Sequence, residues 1–429
     1  MDKLKEMYRE VKGDSFPAEI SITIGEETLR YRKRTWKITA EDGRVQDLGL
    51  RYGENPDQEA ALYGLAEGHL ELAGWGLVAP GRGVASDIAS EDLIQSGKHP
   101  SKTNITDLDA GLGILKRLTG RPAAVIIKHN NPCGVAYGDS LDEAYLKAYL
   151  SDRIAAFGGC LVVNRSLDRA AAEAIAGHYL EVVAAPEFEP GSVEILSRRK
   201  NLRIVRLARY DRLEALAAGR QLQIATLGDG GIILQQSQTS RIRCPEDLRL
   251  GETTYKGVTY RVERAPLARE AADMIFGWAV EMGVTSNSVI YVKDGATVAI
   301  GTGEQDRVGV AEIAIFKAYT KYADRLAAEL CGMSYKALEQ AVAEGSQPLS
   351  VKEGIDERVK AERAGLPGAV MVSDGFFPFR DSVDVAIRQG ITAIVQPGGS
   401  LRDFESIEAC NQAEPRLSMV FTGQRLFKH

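Results

Sequence analysis

The sequence predicts an α/β fold with two subdomains, and three observations predict it. Short apolar runs of strand length, AAVII and CLVV among them, alternate with stretches whose apolar residues recur at helical spacing. The composition, 44% hydrophobic and 26% charged, is that of a globular protein. The length of 429 residues exceeds what one ordinary core organises, which favours two subdomains.

The elements follow in chain order. AEISITIGEETLRYRKRTWKI alternates and predicts a hairpin. RPAAVIIKHNNPCG reads as a buried strand followed by a turn, LDEAYLKAYLSD as a helix and AAFGGCLVVNR as a strand. DRAAAEAIAGHYLEVVAAPEF reads as a helix running into a strand. The pattern resumes after Leu222 with IATLGDGGIILQQ, then the helix REAADMIFGWAVEMG. SNSVIYVKDGATVAIGTG follows as a strand pair over an Asp-Gly turn. Ile315, Tyr319, Tyr322, Leu326 and Leu330 recur at helical spacing and open a charged helical insertion near residues 317–367. Near the C-terminus, Asp381 and Ser382 are candidate caps of one helix and Gly390 its stop. Ser400 and Asp403 form a capping-box variant on the next helix. Residues 1–49 therefore read as a hairpin-rich lead-in, 50–210 as a first subdomain and 211–429 as a second. The polar stretch Arg198–Gln223 marks their boundary.

Bulk charge excludes some functions. A net charge of −6 argues against a broad nucleic-acid-binding face while allowing a local basic pocket. No apolar run reaches membrane-spanning length. The charged start, MDKLKEMYREVKG, lacks the apolar core of a secretory signal. The five cysteines are scattered and odd in number, which suits a reducing cytoplasm.

Chemistry concentrates at IIKHNNPCG, residues 126–134. Turn chemistry accounts for Asn130, Asn131, Pro132 and Gly134. It does not account for Lys128 and His129 side by side at the end of an apolar run. A zinc deaminase would need a second cysteine at position 136, which is Ala, and an H-x-E motif, whereas His129 is followed by Asn130 and Asn131; no zinc site is offered at this stretch. RYGENPDQ (51–58) puts an arginine and a tyrosine before another Asn-Pro turn. QPGGS offers backbone N–H groups to a polar or anionic ligand. FFPF is an aromatic cluster inside a turn, read either as a core plug or as a surface for a flat ligand.

RYGENPDQ, KHNNPCG, AFGG, APEFEP, SNSV, SDGFFPFRDSVD, QPGGSLRD and FTGQRLFKH, in this order, resemble the AICAR transformylase part of bifunctional purine-biosynthesis proteins. The resemblance runs from about Leu50 to His429. It implies two cytidine-deaminase-like α/β/α subdomains without the zinc, a homodimer with active sites at the subunit interface, and room for a monovalent cation. The implied reaction moves a formyl group from 10-formyltetrahydrofolate to the 5-amino group of AICAR. By resemblance His129 is the general base, Lys128 stabilises the transition state and Asn287 orients the reacting groups. Arg51, Tyr52, Gly158, Glu181, Arg307, Phe376 and Arg425, with His129 and Asn287, match nucleotide-contacting positions. Val308, Asp381, Ser400 and Leu401 match folate-contacting positions. Only some fifty residues precede RYGENPDQ, so the expectation is a monofunctional transformylase served by a separate IMP cyclohydrolase.

The chain also departs from the family pattern. GTGEQDR stands where the family has a neutral turn, so Glu304 and Asp306 are expected to weaken anion binding unless they pair with Arg307. SKTNITDLDA lacks a tyrosine that the family carries, and DRIAAFGG replaces a DPxSAFGG pattern. A non-catalytic folate or nucleotide binder and a formate-dependent variant stay open as alternatives.

Overall fold

The computed structural model describes residues 14–39, 43–97 and 99–429. The N-terminal stretch read for a signal, residues 1–13, lies outside them. The described residues form an α/β fold divided into two compact units. The first comprises the described residues within Met1–Pro122, with Ile127–Asn130 and Gly158–Thr239. The second comprises Ala123–Ile126, Asn131–Phe157 and Ser240–His429. The chain thus passes between units several times around the KHNN segment.

In the first unit, Gly159–Val163, Leu180–Ala185 and Arg203–Arg206 are parallel strands, and Leu93–Gln95 adds an antiparallel edge. The register sets Val162 beside Ala184 and Val183 beside Ile204. Helix Lys102–Leu115 packs on this sheet; the Val162 side chain leaves no room for a Cβ at Gly111. The expected N-terminal hairpin is present: Glu19–Ile24 pairs with Glu27–Lys33 over Gly25 and Glu26. The stretch Arg198–Gln223, expected as a boundary, instead contains the strand Arg203–Arg206 and helix Leu213–Ala218. A four-residue strand with arginine at both ends looks polar in sequence, yet its first three residues are buried.

In the second unit the strand order is Arg249–Leu250, Ser418–Phe421, Ala393–Gln396, Val370–Ser373, Val289–Lys293, Ala296–Gly301 and Asn131–Tyr137. Its apolar strands are covered on both faces. Val289, Tyr291 and Met371 join the core around Val310 and Ala314 of helix Arg307–Cys331. Val292 and Val372 close on Gly277 of helix Ala268–Glu281. Burial on both faces explains why VIYV and VMVS show no polar alternation. Helices Arg307–Cys331, Tyr335–Ala343 and Leu349–Ala361 occupy the stretch near residues 317–367, with Leu326, Leu338, Ile355 and Val359 forming a core of their own. Among the described residues no helix is long and apolar enough to cross a membrane.

Candidate functional site

The turn in KHNNPCG is shorter than the sequence suggests. Strand Ala123–Lys128 ends at the lysine, and Asn131–Tyr137 is already the next strand, so Pro132, Cys133 and Gly134 are strand residues. The turn is His129–Asn130 alone, with φ of 55° and 62°. Both angles are left-handed, as a two-residue hairpin turn requires. The run NPCG stays extended because strand Asn131–Tyr137 packs closely on helix Leu141–Ser151. A Cβ at Gly134 would overlap the Ala148 carbonyl oxygen. Lys128 is half-buried and His129 exposed.

Helix Lys102–Leu115 lies behind this turn within the first unit. Asp107, only 5% exposed, accepts the Asn130 backbone N–H at 2.7 Å. Burial pushes the Asp107 carboxyl up, and N–H groups of Asn130 and His129, with the His129 charge, pull it back. One turn earlier, Asn104 Nδ2 donates to Glu181 Oε2 at 3.2 Å. Arg203 Nη1 reaches the same carboxylate at 3.4 Å. Arg51 donates from Nη2 to the Tyr52 hydroxyl at 2.9 Å and stands over that ring at 4.6 Å. Arg51 and Arg203 are 5% and 2% exposed, and Arg51 Nε, Arg51 Nη1 and Arg203 Nε have no hydrogen-bond partner among the described residues. Burial, then the charge of Arg51, pulls the Arg203 guanidinium down from its ordinary value. Buried N–H groups of this kind cost free energy until an acceptor arrives. The cluster is built to take an anion, and an arginine fork matches phosphate geometry. Gly158 (φ 76°) donates its N–H to the Tyr179 carbonyl at 2.8 Å.

The second unit holds another cluster. Arg307, expected either at the nucleotide or in a surface ion pair, is 9% exposed and pairs with the fully buried Asp374. Its Nη1 also donates to the Ser288 carbonyl at 3.1 Å and Ser373 Oγ at 3.2 Å, and its Nη2 to Asn287 Oδ1 at 2.8 Å. Neither Glu304 nor Asp306 is among these partners. Asp306 instead caps helix Arg307–Cys331 by accepting the Gly309 N–H, and Glu304 accepts from the Gln305 N–H at 2.9 Å. Glu281, fully buried, accepts from Ser288 Oγ at 2.9 Å. Burial, reinforced by Asp374, raises its carboxyl well above the usual range. The Asn131 side chain accepts from the Thr285 N–H at 2.9 Å and the Thr302 hydroxyl at 3.1 Å, bracketing the strand pair Val289–Lys293 and Ala296–Gly301 that follows Asn287.

Gly375 has no room for a Cβ, with Arg307 and Phe427 against it. Phe376 beside it is half-buried, and Arg425 stands over the Phe427 ring at 4.9 Å. The FFPF turn divides its work: Phe377 is a core plug, while Phe379 is 52% exposed under Arg402 at 5.0 Å. That contact links the turn before Asp381 to the one carrying Ser400 and Leu401. Leu401 is 88% exposed, and Val308 is the second residue of its helix. Two expectations fail locally. Asp381 is the first residue of its helix, not its side-chain cap. The N–H groups of QPGGS are not bare: Gln396 takes that of Gly398, and Asp403 takes those of Gly399 and Ser400.

Sequence reasoning missed Asn104, Asp107, Arg203, Glu281 and Asp374. Asp374 stood inside a quoted motif, at the end of an apolar run. Asn104 and Asp107 stood in SKTNITDLDA, quoted only for its departure from the family pattern, while Glu281 sits on a helix and Arg203 in a polar stretch with no motif to mark them. A cavity of about 630 Å³ in the first unit, lined by Tyr31, Leu65, Leu77, Leu112, Lys116 and Leu213 among others, touches none of the predicted site residues. Arg51 and Arg203, with their buried N–H groups, are not among its lining residues.

Comparison with known proteins finds the family that the motifs resemble. A family model described as AICARFT/IMPCHase bienzyme matches residues 18–317. A bifunctional purine biosynthesis protein PurH of Caldicellulosiruptor saccharolyticus is 36% identical over 380 residues, 89% of this chain and 59% of that protein. The PurH of Clostridium perfringens is 37% identical over 387 residues, covering 90% and 59%. That of Bacillus cereus is 34% identical over 415 residues, covering 97% and 65%. The chain thus spans about three-fifths of the length of the curated relatives it matches. The match covers both the KHNN turn and the Asn287–Arg307 pair, and the chain belongs to the AICARFT/IMPCHase bienzyme family.

Proposed function

We propose that these 429 residues carry the transfer of a formyl group from 10-formyltetrahydrofolate to the 5-amino group of AICAR, giving FAICAR and tetrahydrofolate. The observation that carries the reading is the KHNN turn within a family match that runs through it. The AICAR amine is a poor nucleophile because its lone pair is delocalised into the imidazole ring. Its nitrogen attacks the formyl carbon while His129 takes the proton as general base. The carbonyl electrons move onto oxygen, where Lys128 and the Asn287 amide stabilise the charge. When the intermediate collapses, the bond to N10 breaks, and the imidazolium returns its proton to the departing nitrogen.

The nucleotide set in this reading is Arg51, Tyr52, Gly158, Glu181, Arg307, Phe376 and Arg425, with His129 and Asn287. The unpartnered Arg51 and Arg203 N–H groups support a phosphate at the first of these. Arg307 spends most of its donors on protein partners, which gives it a smaller share in the ligand. Val308, Asp381, Ser400 and Leu401 form the folate set. We place the enzyme in the cytoplasm as a homodimer, with room for a monovalent cation. Closing the purine ring to IMP lies outside these residues and falls to a cyclohydrolase.

The test mixes purified protein, AICAR and 10-formyltetrahydrofolate and follows tetrahydrofolate by absorbance and FAICAR by mass. Both products should appear together and depend on both substrates. AICAR binding without turnover would leave a binding protein instead. Formylation that proceeds only with formate and a nucleoside triphosphate would move the reading to the formate-dependent variant.

A further inference from the structure

We infer that Asp107 is a positioning residue for the His129 turn, on a helix face that also fixes Glu181. The inference rests on the proposed role of His129 and starts from a departure in the sequence. SKTNITDLDA differs from the family pattern yet keeps an asparagine and an aspartate three residues apart. On a helix that spacing puts both side chains on one face. Asn104 and Asp107 are 7% and 5% exposed, too buried for a solvated surface.

Each has its working atom committed. Ser101 and Asn104 form a reciprocal capping box at the start of the helix. Asn104 Oδ1 accepts the Ser101 N–H at 3.1 Å, leaving Nδ2 to donate to Glu181. Asp107 Oδ1 accepts the Asn130 N–H, and the His129 backbone also donates to this carboxylate. The turn needs such an anchor. Two-residue turns of this type favour Asn-Gly, and here the pair is His-Asn, with a left-handed φ at both residues. A Cβ at both positions is sterically disfavoured, so the backbone does not hold this shape by itself. A carboxylate that collects the turn's N–H groups stabilises it and sets where the imidazole starts. The charge of Asp107 also faces His129 from behind. Asp107 touches no reacting atom in this account; it acts through His129.

The experiment compares full-length wild type with Asp107→Ala, Asp107→Asn, His129→Ala and the Asp107→Ala/His129→Ala double variant. Turnover and KM for AICAR are measured, and hydrogen exchange is followed in the peptide spanning residues 126–134. Asp107→Ala should lower kcat about 100-fold, the usual scale for a small misplacement of a catalytic group, and leave KM within about 3-fold. Asp107→Asn keeps an oxygen that accepts an N–H, so its kcat should fall between wild type and Asp107→Ala, with intermediate exchange in the turn. In the His129→Ala background, Asp107→Ala should change kcat less than about 2-fold, since the residue it positions is gone. A multiplicative loss in the double variant, or a KM effect with unchanged kcat, overturns the inference. If Asp107→Ala does not fold, Asp107→Asn decides: wild-type kcat despite a faster-exchanging turn overturns it. If wild-type protein forms no tetrahydrofolate, the proposed reaction fails instead. Exchange in the turn then tests the anchor alone, and unchanged protection in Asp107→Asn and Asp107→Ala removes it.

Discussion

Asn287 shows how one hydrogen bond decides what a side chain offers. A guanidinium only donates, so the amide oxygen of Asn287 must face Arg307 Nη2, and the amide nitrogen remains for a ligand. Asn287→Asp replaces that donor with an oxygen beside the same arginine. We predict turnover down by about 100-fold or more, the usual cost of losing an oxyanion donor, with AICAR affinity within a few-fold. A variant with normal turnover would show that the amide nitrogen has no part in the reaction. His99 supplies a second test at this scale. It packs edge-on against Trp36 and donates to the Gly49 carbonyl. Burial, then Arg51 and Arg203, lowers its pKa from 6.5 to about 4, with the Gly49 contact opposing. The unfolded chain therefore binds the proton first. The stability His99 contributes is complete above pH 6.5 and drains away as pH falls toward 4, by about 3 kcal/mol at most. Urea midpoints of His99→Gln between pH 4 and 6.5 should vary less steeply than those of wild type. Equal slopes would assign the acid sensitivity to other groups. Neither residue's partner was legible in the sequence, because His99 and Gly49, or Asn287 and Arg307, meet only through tertiary packing.

Among the elements, the helix beginning at Arg307 revises the reading of GTGEQDR. The expectation there was two carboxylates opposing anion binding, partly paired with Arg307. Asp306 is instead the N-cap of that helix, and Arg307 pairs with Asp374. Asp306→Ser keeps a capping oxygen and should stay within a few tenths of a kcal/mol of wild type, whereas Asp306→Ala should lose about 1 kcal/mol. If both variants instead tighten AICAR alike without destabilising the chain, the charge matters and the cap does not. Gly134 gives a sharper packing test. The Ala148 carbonyl occupies the space a Cβ would need, so Gly134→Ala should cost about 1–3 kcal/mol in thermal or urea unfolding. No loss would mean that strand and helix separate freely. Helices and long strands were legible because their periodicity extends over many residues. Arg203–Arg206 was not: four residues with charged ends carry too little pattern, and its burial comes from the neighbouring strands. The extended NPCG run was hidden for a related reason, since turn-forming residue types dominate it while packing against a helix decides its shape.

For the molecule as a whole, the α/β class and the order of elements followed from sequence, and the interleaving of the two units did not. A chain that lends Ala123–Ile126 to one unit and Ile127–Asn130 to the other shows no change of composition where it crosses. The candidate site was legible as motifs and illegible as architecture. Lys128, His129 and Asn287 stood in recognisable stretches; Asn104 and Asp107 stood in SKTNITDLDA with no role assigned to them, and Arg203 stood in no motif. The net charge of −6 coexists with positive charge concentrated locally, as at Arg51 and Arg203. Formyl transfer is the chemistry proposed for the His129 turn. It is tested most directly by His129→Ala, with AICAR binding measured by calorimetry and tetrahydrofolate formation measured under saturating substrates. The account predicts AICAR affinity within about 3-fold of wild type and turnover reduced at least about 100-fold, the range for loss of a general base. Near-normal turnover in the variant would contradict it.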